Sequence, residues 1–388
     1  MKILIHCADL RMGGVQKSLI NFATELSKNN QVDIALFGKK GDLLNLVPDN
    51  INVYDCGDVS SFYTYSDNVV QCKITGVLKT ILRKIGVKKF FLRYKEKVLK
   101  QHSNCLKCFD EYDVAVCFDS IDYLSLVYVQ RFIKAKVKIA FFHGDPTMVY
   151  VNKDYLKYFM LYDKILTVSN SCQKKVKHRF QTLKNIDYLY NCQDVKTIVE
   201  KSKEELDIAF EKDKIKIITV ARLDKNKNII CFVKALKKLE DEGYKFVYYV
   251  VGDGCQKKEI ESFVKKNNMT NIHLLGSKPN PYKYIKECDL FVLPSRFEAC
   301  PMVYAEAMTL GVPVLSTDTC SAREILDDWG FICENSKKGL YSSLKGLLEN
   351  PSKIDEKKKK IAKEYHFSNE EIVQKVYNIV KQIEKNKG

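Results

Sequence analysis

The stretch that most constrains the fold is residues 289–317, DLFVLPSRFEACPMVYAEAMTLGVPVLST. Leu290, Phe291, Val292 and Leu293 form a short apolar run that stops at Pro294-Ser295, the pattern of a strand buried in a parallel sheet. Pro301 fits the first turn of a helix, where its missing N–H costs nothing. Ala305, Ala307, Met308 and Leu310 carry the helix on, Gly311 ends it, and Val312 to Leu315 start a second buried strand. The helix N-terminus then opens at the loop, with free amides that suit an anion. Glu298 lies in the loop and Glu306 just over one turn into the helix, with seven residues between them. A phosphate next to a sugar is the ligand such an arrangement suggests.

The rest of the chain repeats the same alternation. Short apolar strands are predicted at residues 2–7, 32–37, 51–54, 114–118, 138–142, 164–168 and 188–190, with a helix at 15–26. A charged stretch at 194–214 reads as a solvated helical linker. A second alternating block follows, with strands at 216–220, 245–251 and 272–275 and helices at 228–239 and 257–266. An amphipathic helix at 369–384 closes the sequence. Strands alternating with helices imply an α/β protein with parallel sheets covered by helices. Open parallel sheets bind ligands at the C-terminal ends of their strands, so two such halves make one shared cleft.

A length of 388 residues and an apolar content of 46% allow two domains with substantial cores. No apolar run reaches the length of a membrane span, and residues 1–7 lack the length and cleavage pattern of a signal peptide. The 14 cysteines are scattered, and Cys7, Cys117, Cys231 and Cys288 fall in apolar segments. That usage reads as buried free thiols of a reducing cytoplasm. Cys105 and Cys108 form one CxxC with His102 and Cys117 nearby; without a second paired knuckle, helical spacing is the simpler reading and no metal site is expected.

The net charge of +16 is uneven. Residues 73–107 carry eleven Lys or Arg against the single acid Glu96, interleaved with apolar and aromatic residues. Such a segment reads as a surface for anionic lipid, at the inner face of the cell membrane, or as a solvated lysine-rich face. No nucleic-acid-binding motif accompanies the charge.

Five further loops could carry chemistry. Arg222 and Lys227 lie between a buried strand and a helix, where two fixed cations would stabilise charge developing on a diphosphate leaving group. Gly252-Asp253-Gly254 is a turn after a strand, and Ser277 follows another. Met12-Gly13-Gly14-Val15-Gln16 opens a helix, where glycines let backbone approach a phosphate; it is not GxGxxG, which argues against NAD. His143, with Asp145 close behind, sits just past an apolar run.

Taken together these segments resemble the retaining GT-B glycosyltransferases of family 4. The resemblance covers nearly the whole chain and is strongest from Val220 to Thr317. Glu298 and Glu306 match the family's E-x7-E pair, and Arg222 and Lys227 its R-x4-K motif. The resemblance implies that Arg222 and Lys227 contact the donor diphosphate, that Glu298 and His143 lie by the donor sugar, and that Glu306 holds the ribose. It further implies donor contacts from Gly13, Gly14, Gln16, Gly252, Gly254, Ser277, Ala299, Cys300, Pro301, Met302 and Val303. Cys300 stands where an aromatic residue is common, and Cys192 where a glycine usually follows Asn191.

The resulting expectation is a GT-B fold of two Rossmann-like domains facing across a cleft. Residues 1–193 would bind the acceptor, 194–367 the nucleotide sugar, and 368–388 would cross back as a helix. The resemblance implies a retaining enzyme that is independent of metal and of cofactors. It would move a sugar from a nucleotide diphosphate sugar, with UDP favoured, to a glycan or lipid-linked acceptor in bacterial surface polysaccharide or lipopolysaccharide assembly. The alternatives are a sugar-nucleotide epimerase of related fold and an inactive sugar-nucleotide-binding partner subunit; retention of both cations and both glutamates weighs against each.

Overall fold

The computed structural model describes residues 1–57, 107–149, 151, 153–211 and 213–388. They fall into two compact units, residues 1–192 with 369–388, and residues 193–368. The basic segment at 73–106 and its CxxC residue Cys105 lie outside the described residues.

In the first unit the described elements are β1 (Lys2–Cys7), α1 (Gly14–Ser27), β2 (Gln31–Leu36), β3 (Asn52–Asp55), β4 (Phe109–Cys117), α2 (Tyr123–Phe132), β5 (Ile133–Phe142), α3 (Lys153–Phe159), β6 (Lys164–Thr167), α4 (Asn170–Arg179) and β7 (Ile186–Tyr188). The strands pair in parallel in the order β3-β2-β1-β4-β5-β6-β7. Both faces of the central strands are covered, so Ile3, Leu4, Ile5, Ala115 and Ile139 are almost wholly buried, as a doubly covered parallel sheet requires. Strand order reverses at β1 and β4, and the loop after β1 carries Gly13 and Gly14. The C-terminal helix, Asn369–Lys387, belongs to this unit. It buries Ile372, Val376, Ile379, Val380 and Ile383 on one stripe, while the Tyr377 hydroxyl accepts from Asn30 Nδ2 at 2.8 Å.

The second unit holds α5 (Val195–Lys201), β8 (Ile215–Val220), α6 (Ile229–Asp241), β9 (Phe246–Val251), α7 (Lys257–Lys266), β10 (Ile272–Gly276), α8 (Tyr282–Lys286), β11 (Leu290–Leu293), α9 (Met302–Thr309), β12 (Val314–Thr317), α10 (Ala322–Leu326), β13 (Gly330–Cys333), α11 (Lys337–Glu349) and α12 (Ser352–Glu364). Its parallel sheet runs β10-β9-β8-β11-β12-β13, again reversing at the first strand of the unit. This order is that of a dinucleotide-binding sheet, in which ligands sit beyond the strand ends at the reversal. β8 and β11 are therefore neighbours, and the loops that follow them start side by side.

Several expectations are corrected. Residues 194–214 are not a solvated helical linker: only Val195–Lys201 is helical, and beyond it Leu206, Ile208 and Phe210 pack on the second unit's core. Their alternate spacing is that of an extended segment with one buried face. Pro301 is not in the first turn but is the N-cap of α9, with extended ψ of 127°. The strand expected at 188–190 ends at Tyr188. Cys231 is only half-buried, whereas Cys7, Cys117 and Cys288 are buried.

Candidate functional site

The site grows from the reversal point of the second sheet. After β8 the chain turns through Ala221 to Asn228, and the turn is built by one side chain. Asp224 Oδ1 accepts from the amides of Asn226 at 2.9 Å and Lys227 at 3.0 Å, an Asx turn. Asn228 takes the left-handed conformation that asparagine tolerates, φ 57°, and starts α6. Arg222 is left largely exposed, with Asp224 at 3.5 Å, and Lys227 points toward the neighbouring loop.

The loop after β11 meets it there. Lys227 Nζ and Glu298 Oε1 are 2.6 Å apart, with side chains only 19% and 11% exposed. Solvent screens a pair at that depth far less than a surface pair. The structure thus brings together two residues separated by 71 positions, one from each motif. Three residues after Glu298, Pro301 caps α9 and Gly311 ends the turn beyond it at φ 79°. Glu306 is buried within α9. Tyr304, two residues earlier and buried, shares a 2.5 Å hydrogen bond with Ser316 of β12, which fixes the helix against the sheet. Ala299 and Met302 are buried; Cys300, Pro301 and Val303 are half-buried. The buried Ser295 hydroxyl, at the β11 end of the same loop, has no hydrogen-bond partner.

Gly252 and Gly254 serve the Arg222 loop from behind. Gly252 has φ 143°, and a Cβ there would lie 1.9 Å from the Ala221 carbonyl oxygen. A Cβ at Gly254 would lie 2.6 Å from the Leu223 carbonyl oxygen. The glycines are required by this close backbone approach, which also carries the Leu223 amide to Asp253 O bond of 2.9 Å. Ser277 is exposed just past β10.

The remaining sequence-derived residues lie in the first unit. Gly13, at φ −174°, is the extended N-cap of α1, and Gly14 opens that helix with open space where a Cβ would stand. Gln16 Oε1 folds back over Gly13. His143 follows β5, with its ring 4.6 Å from that of Phe118 and 5.6 Å from Phe141. Its Nε2 is buried without a hydrogen-bond partner, and burial lowers its pKa to about 3, so the imidazole is neutral at neutral pH. A neutral ring can exchange one hydrogen bond with an uncharged hydroxyl. Asp145 is occupied locally, accepting from the Thr147 amide at 2.9 Å and the Thr147 hydroxyl at 2.6 Å.

Two asparagines escaped the sequence reading. Asn226 and Asn335 both bond the backbone of the loop that carries Glu298. The cluster Asp224-Lys225-Asn226-Lys227-Asn228 signals a turn, but not where its side chains bond.

Two Rossmann-type units, with a cation–carboxylate pair at the reversal point of the second, are the parts expected of a GT-B protein. Residues 200–365 match the family model of glycosyl transferases group 1. A Campylobacter jejuni N-acetylgalactosamine-N,N'-diacetylbacillosaminyl-diphospho-undecaprenol 4-alpha-N-acetylgalactosaminyltransferase is 34% identical over 43% of this chain and 45% of its own length. A second C. jejuni relative, a GalNAc-alpha-(1->4)-GalNAc-alpha-(1->3)-diNAcBac-PP-undecaprenol alpha-1,4-N-acetyl-D-galactosaminyltransferase, is 26% identical over 84% of this chain and 82% of its own. The crystal structure of Anabaena HepE with UDP and glucose aligns with a TM-score of 0.66 at 16% identity, over 100% of this chain and 99% of that one. The chain has the GT-B fold, and its residues 200–365 are similar to the glycosyl transferases of group 1. It spans about half the length of the first curated relatives it matches, between 44% and 55%.

Proposed function

We propose that the protein is a retaining glycosyltransferase of bacterial surface-polysaccharide or lipid-linked glycan synthesis, using a nucleotide diphosphate sugar and favouring UDP. The observation that carries this reading is the Lys227–Glu298 pair at the sheet reversal, in the loop that leads into α9. On this reading an acceptor hydroxyl oxygen bonds to the anomeric carbon while the bond from that carbon to the phosphate oxygen breaks. The nucleotide diphosphate leaves with the electron pair and takes up the acceptor's proton. Lys227, Arg222 and the α9 amides stabilise the departing negative charge. Glu298 then holds the sugar and Glu306 the ribose. Two cations and a helix terminus supply the positive charge a diphosphate needs, so turnover is independent of divalent metal.

The relatives that act on undecaprenol-linked glycans support a lipid-linked acceptor. A membrane surface suits such an acceptor. Helix α4 carries Lys174, Lys175, Lys177 and Arg179, all exposed. No helix among the described residues is long and apolar enough to cross a membrane.

The test is incubation with single UDP-sugars and undecaprenyl-diphosphate-linked glycans, in EDTA, with the product's anomeric configuration read by NMR. An α-linked product from an α-configured donor is expected. Sugar epimerised or hydrolysed without acceptor would replace the reading with the epimerase, and nucleotide binding without turnover of any donor would favour the inactive partner.

A further inference from the structure

Glu298 lies in a loop of the second unit that has no regular structure between Pro294 and Pro301. Such a loop is held only by specific bonds. Asn226 makes three of them. Its Nδ2 donates to the Phe297 carbonyl at 3.0 Å, and its Oδ1 accepts from the Phe297 amide at 3.2 Å. Its own carbonyl accepts from the Arg296 amide at 2.8 Å. The side-chain amide therefore pairs with Phe297 as a backbone strand would, satisfying both of that residue's polar groups. Asn335 Nδ2 donates to the Arg296 carbonyl at 2.8 Å from the other side.

Asn226 is adjacent to Lys227, and Phe297 is adjacent to Glu298. Asp224 holds the Lys227 turn independently, so the clamp sets the position of Glu298 relative to it. Only a planar amide with one donor and one acceptor can bond both groups of Phe297. Aspartate lacks the donor, glutamine is one methylene too long for the same loop spacing, and alanine has neither group.

We propose that Asn226 is a positioning residue, acting through Phe297 to hold the Glu298 carboxylate against the donor sugar while leaving diphosphate binding to Arg222 and Lys227. This rests on the donor-site reading given above. A displacement of about 1 Å at a reacting centre can cost on the order of a hundredfold in rate.

The experiment compares wild type with Asn226→Ala, Asn226→Asp and Glu298→Gln, and with the Asn226→Ala/Glu298→Gln double variant. Hydrogen–deuterium exchange of residues 294–300 in the unliganded protein reads the clamp directly. Exchange at Phe297 is expected to rise by roughly fivefold in Asn226→Ala, one hydrogen bond's worth, and by less in Asn226→Asp, which keeps the acceptor. In sugar transfer, kcat falls by about a hundredfold in Asn226→Ala, while Kd for UDP stays within about twofold. In the Glu298→Gln background Asn226→Ala costs little more. Unchanged exchange overturns the clamp. A loss confined to UDP affinity, or a full additional loss in the double variant, overturns the action through Glu298. If wild type transfers no sugar from any donor, the functional reading fails, and the exchange data still decide whether Asn226 holds the loop.

Discussion

Lys227→Ala removes the cation from a pair whose members are 19% and 11% exposed, and so strands Glu298 at that depth. Breaking a fully buried pair costs about 3–5 kcal/mol, and an exposed pair contributes about 0–1 kcal/mol. The depth here falls between those limits, so a loss of about 2 kcal/mol is expected, or about 4–8 °C in Tm for a unit of this size. Glu298→Gln strands Lys227 less severely, because the amide oxygen still accepts from it. Removing both partners leaves no uncompensated charge, so the double variant should cost less than the sum by at least about 1 kcal/mol. Trp329 is the only tryptophan and lies in the second unit, its ring 5.4 Å from Tyr365. Its fluorescence during urea unfolding reports on that unit alone. Additive losses, with a coupling below about 0.3 kcal/mol, would refute the claim that these side chains form an ion pair.

Gly252→Ala forces a Cβ to 1.9 Å from the Ala221 carbonyl oxygen at φ 143°, so backbone must move. A cost of about 2–3 kcal/mol is expected, with weaker UDP binding because the Arg222 loop shifts; wild-type Tm and affinity would show the approach to be soft. Acid sensitivity should arise in the first unit. Burial lowers both His6 and His143 to about 3, so the unfolded chain binds more protons than the folded one from there up to 6.5. That part of the stability is complete above the unfolded value and is lost as pH falls, by at most about 2 kcal/mol per ring at pH 5 and less for half-buried His143. Asp119 opposes it, because burial and Asp122 raise its pKa to about 7. Asp119→Asn should therefore steepen the fall in Tm between pH 7 and 5, and His6→Asn should flatten it; unchanged slopes would contradict the assignment.

Much of the sheet was legible because a parallel strand covered on both faces must be apolar throughout, as Leu290 to Leu293 show. The helix Tyr123–Phe132 was not, because seven of its residues are buried and no polar face marks its period. Leu206, Ile208 and Phe210 hid among lysines and acids, whose charge suggested a solvated linker. At the site, Lys227 and Glu298 stood out through the resemblance of their motifs, R-x4-K and E-x7-E, each placed after a buried strand. Asn226 left no comparable mark, since its bonds go to backbone, and any residue at 296 or 297 offers the same amide and carbonyl.

The central claim is that the sheet reversal of the second unit binds a nucleotide diphosphate sugar. Calorimetric titration of UDP and UDP-sugars into wild type, Arg222→Ala and Lys227→Ala, with and without EDTA, tests it most directly. The expected result is wild-type binding that EDTA leaves unchanged and that each substitution weakens by at least about tenfold, as loss of a charge-assisted contact does. Equal affinity in all three proteins would contradict it.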